Sequence, residues 1–247
     1  MKWVAIIGLT VAAAVVAVPA EAQSRRDNSQ IGSRFARKAK TYDEDKVREM
    51  QKTVARCVAW RHKEGARKLL QHSDSVGIDF YETEYSSDDW FDQMDVADCI
   101  ERVMSDAGYY MEMRISYPAL RNLLAEEVYL MDNEAPPVIG EGASEQLENR
   151  NFATGMNPRA VAFAKLADCI VYHAPATADA LARSRPGSGE ERDAFKDLRP
   201  AIGKCTGTEP NKVDADPSLT RMVVADGLWS RTFYGRAQTQ AAAERTE

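Results

Sequence analysis

Apolar residues recur at helical spacing in several blocks of the chain, with polar residues filling the positions between them. The first block places its apolar residues at Val47, Met50, Val54, Cys57 and Val58. This three- and four-residue spacing is typical of one helix face turned toward a core. The acidic residues 43–45 stand where the first turn of a helix favours negative charge. The block therefore predicts a helix with a buried stripe.

The second half of the chain shows the same periodicity and clearer start signals. Asn157 and Pro158 offer an N-cap and a proline at the first helical position, and Asp216 with Pro217 begins a last helix in the same way. The stripe that follows Pro158 consists of Val161, Ala162, Leu166, Cys169 and Ile170. Apart from residues 109–117, no segment sustains the alternation of a strand. We expect an all-α fold with little or no sheet.

The two halves of the chain repeat a short phrase and keep the order of the blocks around it. VARCVAW at 54–60 matches LADCIVY at 166–172, and PALRNLL from Pro118 matches PSLTRMV from Pro217. Cys99 matches Cys205 between these blocks. The pattern predicts an internal duplication of a disulfide-stapled helical unit. Its parts are repeat 1 at 42–131, a linker at 132–156 rich in Pro, Gly and polar residues, and repeat 2 at 157–236.

The four cysteines, Cys57, Cys99, Cys169 and Cys205, are the candidate structural residues. An even number in an exported chain favours disulfides, and spacing alone leaves three connectivities open. Duplication favours the bonds within each repeat, Cys57–Cys99 and Cys169–Cys205. The chain has no CxxC and only three histidines, so we expect no metal and no cofactor.

The sequences at the two ends of the chain predict where the protein is located and which parts are disordered. Lys2, a fifteen-residue apolar run from Val4 to Val18, and the sequence AEA at 20–22 are typical of a secretory signal peptide over 1–22. We expect an exported protein, periplasmic or secreted, with no transmembrane segment after cleavage. Residues 23–41 predict a basic disordered arm, and residues 237–247 a disordered tail.

Charge and motifs narrow the possible functions. The net charge of −6 argues against nucleic acid as a partner. No nucleophile elbow, zinc-protease helix or phosphate loop is present, and His62 and His173 follow the cysteine phrase in different registers. These absences favour a non-enzymatic binding module of the cell envelope, whose partner is a protein, a peptide or an envelope component. The alternative is a small envelope hydrolase that uses acidic residues of repeat 1.

Repeat 1 departs from repeat 2 in an acidic segment with interleaved aromatic residues. Residues 73–101 hold ten acidic and no basic residues. The candidate binding residues there and in the following stretch are Asp88, Asp89, Trp90, Asp92, Tyr109 and Tyr110. One interpretation is a solvated loop over buried aromatics. The other is a recognition surface with aromatic anchors. The basic arm, the basic connector of repeat 2 at 183–204, or an external partner could offset the charge.

The signal peptide and the VARCVAW and LADCIVY phrases resemble small exported bacterial proteins of uncharacterised function that carry repeated helix–Cys units. The resemblance covers the repeats only and implies no activity and no site residue.

Overall fold

The computed structural model describes residues 43–83, 85–86, 89–105, 113, 115–140 and 142–243, with the side chains of the last helix described through 235. In these ranges the chain forms α-helices, one 3₁₀ turn at Pro210–Lys212, and a single isolated bridge between Ser73 and Ile78. The helices are α1 Glu44–Arg61, α2 Lys63–Gln71, α3 Phe80–Thr83, α4 Trp90–Gln93, α5 Val96–Ser105, α6 Tyr117–Asp132, α7 Pro158–His173, α8 Pro175–Arg183, α9 Gly189–Thr206 and α10 Pro217–Ala243. The described part of the chain is all-α, as predicted.

Side-chain caps explain where four of these helices begin. Asp43 accepts a hydrogen bond from the third amide of α1 at 2.9 Å, and Ser116 caps α6 in the same way. Asn157 caps α7 ahead of Pro158, and Asp216 accepts from the amide of Leu219 at the start of α10. Each cap satisfies an amide that the first helical turn leaves without a partner. The start signals of α7 and α10 are those that the sequence shows.

Helices α6 and α10 lie at the centre of the packing. In the first half α1 packs against α6 and α5, and α2 packs against α6. In the second half α7 packs against α10 and α9, and α8 packs against α10. The contact between α6 and α10 joins the halves. The corresponding helices therefore pack alike, while the duplication itself stays a prediction.

Helices α7 and α10 approach each other closely at Gly227. A Cβ atom at this position would lie 2.6 Å from the carbonyl oxygen of Ala167 and 2.9 Å from a methyl carbon of Val171. A glycine in a helix interior normally costs stability relative to alanine. Here it allows two helix backbones to come into contact, as the strong packing of α10 on α7 requires.

Each half of the chain contains one disulfide that links two of its helices. Cys57–Cys99 joins α1 to α5, and Cys169–Cys205 joins α7 to α9, with Cα–Cα distances of 5.8 Å in both. These are the two bonds predicted within the repeats. Each ties the opening helix of its half to the helix before the closing one.

The connector of repeat 2 differs most from its sequence-based description. Residues 183–204 were expected to be a variable connector, yet most of them form α9, which runs for 18 residues. Pro200 lies inside this helix, and an internal proline removes one helical hydrogen bond. The packing of α9 against α7 and α8 stabilises the helix despite this proline. At the chain end, α10 continues to Ala243, beyond the start of the expected tail at Ala237.

Residues 142–156 of the predicted linker form a non-helical segment, here called the strap, that lies along the second half. The amide of Leu147 donates to Asp168 at 3.1 Å, and the side chain of Arg150 donates to the same carboxylate. At its far end Thr154 donates to Asp74 through its amide and its hydroxyl, at 2.9 and 2.6 Å. The strap is thus held by hydrogen bonds to both halves of the chain.

The signal peptide, the basic arm, Asp88, Tyr109 and Tyr110 lie outside the described residues. Among the residues that are described, no helix has both the length and the apolar composition needed to cross a membrane.

Candidate functional site

The interface between α6 and α10 carries two reciprocal ion pairs in its buried centre. Arg121 on α6 pairs with Asp226 on α10. Arg221 on α10 donates to both carboxylate oxygens of Glu126 on α6, at 2.8 and 2.9 Å. These four residues are at most 5% exposed. Because a buried charge without its partner is strongly destabilising, each pair requires the two helices in this register.

A lysine from α1 extends the pair at Glu126. Nζ of Lys52 contacts Glu126 and lies 3.1 Å from Oε1 of Glu127, whose other oxygen accepts from Arg56 at 3.0 Å. Burial lowers the pKa of Lys52 to about 8, even though Glu127 favours its charged form. Lys52 is therefore a cation with little water around it, held by two carboxylates.

Glu191 of α9 joins the same cluster from the other side. It accepts hydrogen bonds from Arg48 at 2.8 and 3.0 Å, from Arg221 at 2.9 Å and from the amide of Gly187 at 2.7 Å. Burial alone would raise the pKa of Glu191, but these donors hold it below its usual value. The carboxylate is kept ionised by two guanidinium groups.

A second cluster surrounds Asp226. Arg121 of α6 and Arg150 of the strap both contact this carboxylate, and Arg150 also donates to Asp168 of α7 at 2.9 Å. Burial would raise the pKa of Asp226, yet the two arginines hold it below the ordinary range. The ion pairs of Asp226 and Asp168 thus join the strap, α6, α7 and α10.

Each carboxylate in these two clusters has a cationic partner in contact with it. General acid–base catalysis needs a carboxyl group that can reach a substrate and exchange a proton with it. The clustered carboxylates are buried and neutralised, so their geometry supports helix packing rather than proton transfer.

An open cleft lies on the surface formed by α7 and the start of α10. Two adjoining cavities make it up, and Phe163, Leu219 and Val223 line both of them. The lining of the first, of about 240 Å³, includes the polar residues Ser75, Ser116, Asn122 and Asp226. Leu219 is 45% exposed at the junction, so a large apolar side chain faces solvent within the cleft.

The second cavity of the cleft is apolar and holds about 470 Å³. Its walls come from α7, from the end of α9 and from the segment before α10; the apolar lining includes Leu166, Ile170, Ile202, Val213 and Ala215. A volume between about 300 and 1,000 Å³ is usual for sites that take small molecules. Asp214 and Asp216 stand at its rim.

Arg159 lies at the polar end of the cleft. Its guanidinium stacks over the ring of Phe163, 5.7 Å from the centroid. The side chain is exposed, and in the described part of the chain no carboxylate pairs with it. The cleft therefore combines apolar walls with the guanidinium of Arg159, which has no ion-pair partner among the described residues.

The predicted binding residues of repeat 1 are divided between core and surface. Trp90 is fully buried, with its ring 5.2 Å from Phe91, 5.6 Å from Tyr117 and 6.3 Å from Phe80. The structure therefore places Trp90 beneath the acidic segment instead of on its surface. Asp89 and Asp92 are exposed; Asp88, Tyr109 and Tyr110 are outside the described residues.

Two residues at the C-terminal end of α1 and just after it balance part of the negative charge of the acidic segment. Arg61 lies 3.5 Å from Asp95 and 3.4 Å from Asp98, and Nε2 of His62 lies 2.8 Å from Asp95. From the sequence, the basic arm, the repeat 2 connector or an external partner was expected in this role, and Arg61 and His62 were not among these candidates. They follow the VARCVAW phrase directly, so their position beside Cys57 was the available signal.

The second disulfide has ionisable neighbours. His173 lies one turn beyond Cys169 on α7, and its Nε2 atom is 3.4 Å from Oε2 of Glu145. Donor atoms of Glu145, Cys169 and His173 all lie within 4.8 Å of one another. Nζ of Lys204, next to Cys205, lies 3.4 Å from Nδ1 of His173.

His173 and Glu145 each make a further contact, one with an aromatic ring and one with an arginine. The ring of Tyr172 stacks edge-on against His173 at 4.9 Å. Arg231 of α10 donates to the carbonyl of Ser144 at 3.1 Å and contacts that of Glu145. The strap is therefore anchored at the residue that faces His173.

The ion pairs between α6 and α10 were missed by sequence reasoning, although a signal existed. The blocks PALRNLL and PSLTRMV were matched by their prolines. A shift of one residue aligns RNLLAEEVY at 121–129 with RMVVADGLW at 221–229. In this register Arg121 matches Arg221 and Glu126 matches Asp226, the four residues that form the reciprocal pairs.

Comparisons of the chain with protein-family models, curated proteins and solved structures find no match.

Proposed function

We propose that this chain is an exported, non-enzymatic binding module of the cell envelope, and that the cleft between α7 and α10 takes an amphiphilic molecule with an anionic group. The observation that carries the proposal is the position of Arg159 beside apolar walls. A buried aliphatic body gains free energy from the walls, and an anionic group gains a charge-assisted hydrogen bond from the guanidinium.

The surrounding architecture supports binding more than catalysis. The cleft stands on two disulfide-linked helices, α7 and α9, and on the ion-paired α10, so its walls are held before a ligand arrives. Preorganised walls lower the entropic cost of binding. Asp226 is a lining residue of the first cavity, and its carboxylate is paired with Arg121 and Arg150. This favours the binding module over the hydrolase alternative.

Binding is tested with a fatty acid that carries an environment-sensitive fluorophore, added to the chain lacking residues 1–22. We expect an increase in fluorescence that saturates at one probe per chain and is reversed by unlabelled fatty acid. Arg159→Glu should weaken the probe's affinity at least about tenfold, because it replaces an attraction by a repulsion. Leu219→Asp should weaken it as well, since it places a charge among apolar walls.

Arg199→Glu is the matched control. Arg199 is also an exposed arginine on a helix, and it stacks over Phe195 at 5.6 Å, outside the residues that line the cleft. This variant should bind the probe as the parent chain does. Equal losses in Arg159→Glu and Arg199→Glu would show a general charge effect and refute the cleft as the site.

Export is tested separately by fusing residues 1–30 to an alkaline phosphatase that becomes active only outside the cytoplasm. An inactive fusion would contradict the envelope location and leave the binding measurement unaffected.

A further inference from the structure

The cysteine pair Cys169–Cys205 stands among the residue types that bind zinc. Glu145 and His173 present their donor atoms within 4.8 Å of Sγ of Cys169 and of each other, and Cys205 is bonded to Cys169. Two thiolates, one imidazole and one carboxylate are a complete donor set for a tetrahedral zinc site. The disulfide occupies two of these donors, so the set becomes available only when the bond is reduced.

We propose that reduction of the Cys169–Cys205 disulfide converts this cluster into a zinc site with the ligands Cys169, Cys205, His173 and Glu145. A dithiol reductant gives two electrons and two protons to the sulfur–sulfur bond and becomes a disulfide itself. The two thiols formed then release their protons to solvent as two zinc–sulfur bonds form. Zinc keeps its oxidation state throughout.

The backbone positions suit both states. The Cα atoms of Cys169 and Cys205 are 5.8 Å apart, within the usual range for a disulfide. Two zinc–sulfur bonds of about 2.3 Å at a tetrahedral angle separate the sulfurs by about 3.8 Å. Rotation of the two cysteine side chains can provide this separation without movement of α7 against α9.

The other two ligands are positioned by contacts that do not depend on the disulfide. The ring of Tyr172 packs edge-on against that of His173, and Arg231 donates to the backbone carbonyl of Glu145, whose side chain is half-exposed. Nε2 of His173 is buried and makes no hydrogen bond; its contact with Oε2 of Glu145 at 3.4 Å is a long one. Coordination would therefore satisfy an atom that has no hydrogen-bond partner. Anchored ligands of this kind favour metal binding.

The ammonium of Lys204 opposes the site. Its ammonium lies 3.4 Å from Nδ1 of His173, and a cation beside a zinc ion is repelled. Lys204 is exposed, so its side chain can turn into solvent when zinc binds. Lys204→Gln should therefore strengthen zinc binding.

The first disulfide provides an internal comparison. His62, the histidine that follows Cys57, is engaged with Asp95 at 2.8 Å. Among the residues that the structure describes, no group of donor atoms like the one at Cys169 surrounds Cys57 and Cys99. After reduction, the Cys169 and Cys205 pair should therefore bind zinc more tightly than the Cys57 and Cys99 pair.

Zinc binding would also shift the redox equilibrium of the second pair. A ligand that binds only the reduced state raises the equilibrium constant for reduction by the factor one plus the ratio of free zinc to its Kd. At free zinc a hundred times above the Kd this factor is about a hundred. The cysteine pair would then respond to both thiol reductant and zinc.

The test uses two double variants of the chain lacking residues 1–22, each with one cysteine pair. Cys57→Ala/Cys99→Ala keeps the second pair, and Cys169→Ala/Cys205→Ala keeps the first. Both are reduced with a phosphine, which becomes the phosphine oxide, and are titrated with Co²⁺ and then with Zn²⁺ against a chromophoric chelator. The variant with the second pair should bind one metal per chain and give the visible absorption of tetrahedral thiolate-bound Co²⁺.

His173→Ala and Glu145→Gln, placed in that background, separate a built site from two bare thiols. Each should weaken zinc binding at least about tenfold, since even groups that merely orient a ligand contribute that much. Equal affinity of the two reduced pairs would overturn the proposal, as would zinc binding by the oxidised chain or no effect of His173→Ala. If reduction unfolds the second-pair variant, zinc should restore its helical circular dichroism, and failure to restore it overturns the proposal too.

Discussion

Arg221 of α10 donates to both carboxylate oxygens of Glu126 of α6, at 2.8 and 2.9 Å, in the centre of the fold. Arg121 of α6 pairs with Asp226 of α10 in the opposite direction. The two arginines and the two acids occupy equivalent positions in RNLLAEEVY and RMVVADGLW. The same arrangement on both helices fixes their register twice, because a slip of either helix would separate both pairs.

The first prediction concerns this register. Arg221→Met should lower the free energy of unfolding by about 3 kcal/mol or more, because it leaves Glu126 and Glu191 buried with one cationic partner fewer. Glu126→Gln should lower it as well. The double variant should lose less than the sum of the two, with a coupling of at least about 1 kcal/mol. Urea denaturation of the three variants and the parent gives the four values.

The matched control for that cycle is Arg199→Met. Arg199 is exposed and stacks on one ring only, so its removal should change stability by less than about 0.5 kcal/mol. A purely additive Arg221 and Glu126 double variant would contradict the direct pairing.

The second prediction compares two glycines on α10. Gly227→Ala should destabilise the chain by about 1–3 kcal/mol, because the new methyl group would meet the backbone of Ala167 at 2.6 Å. At Gly235 the described residues place no atom within 4 Å of a new Cβ, so Gly235→Ala should stabilise the helix by up to about 1 kcal/mol. Thermal unfolding of the two variants checks the contrast. A stabilising Gly227→Ala would show that α7 and α10 are farther apart than described.

The third prediction follows from the buried amine of Lys52. Its pKa is about 8 in the folded chain, against an ordinary value of 10.5. Between these pH values the unfolded chain binds a proton that the folded chain has lost, so this residue makes stability rise with pH. Its contribution between pH 8 and pH 10 is about 2 kcal/mol. At pH 7 and below, Lys52 is almost fully protonated in both states and adds little slope.

Urea denaturation at several pH values between 7 and 10 measures that slope. Lys52→Met should remove the rise, whatever its effect on stability at pH 7. Lys212→Met is the control, because Lys212 is exposed and its one ion pair among the described residues is with exposed Glu209. A variant at Lys52 that keeps the parent's slope would assign the titration to another group.

The sequence predicted the helices that carry a regular apolar stripe and a cap. Val54, Cys57 and Val58 of α1 and Leu166, Cys169 and Ile170 of α7 follow helical spacing, and the structure places them in these helices. The bonds within each half followed from the repeated cysteine phrase. These predictions succeeded because spacing along one helix depends on local geometry only.

Other features depend on which helices meet, and spacing along one segment does not contain that information. Glu126 and Glu127 look like solvent-facing residues, yet both are buried because Arg221, Lys52 and Arg56 arrive from other helices. The cleft residues Phe163 and Leu219 are large and apolar, and residues of this kind are usually buried. They are partly exposed because no helix of the described chain covers that end of α7 and α10.

The last prediction concerns the acidic segment of repeat 1. Trp90 is buried against three aromatic rings, so Trp90→Ala should lower the free energy of unfolding by about 3–5 kcal/mol.

Asp89 and Asp92 are exposed, and neither forms an ion pair with another described residue. Asp89→Asn/Asp92→Asn should therefore leave stability within about 0.5 kcal/mol of the parent. Asp95→Asn/Asp98→Asn is the matched comparison and should cost more than the first pair, because it removes both carboxylate partners of Arg61. Chemical denaturation at low salt, where screening is weakest, distinguishes these outcomes. A loss above about 1 kcal/mol in Asp89→Asn/Asp92→Asn would mean that the chain's own cations, such as those of residues 23–41, hold these carboxylates, and the segment would then be unavailable as a surface for a basic partner.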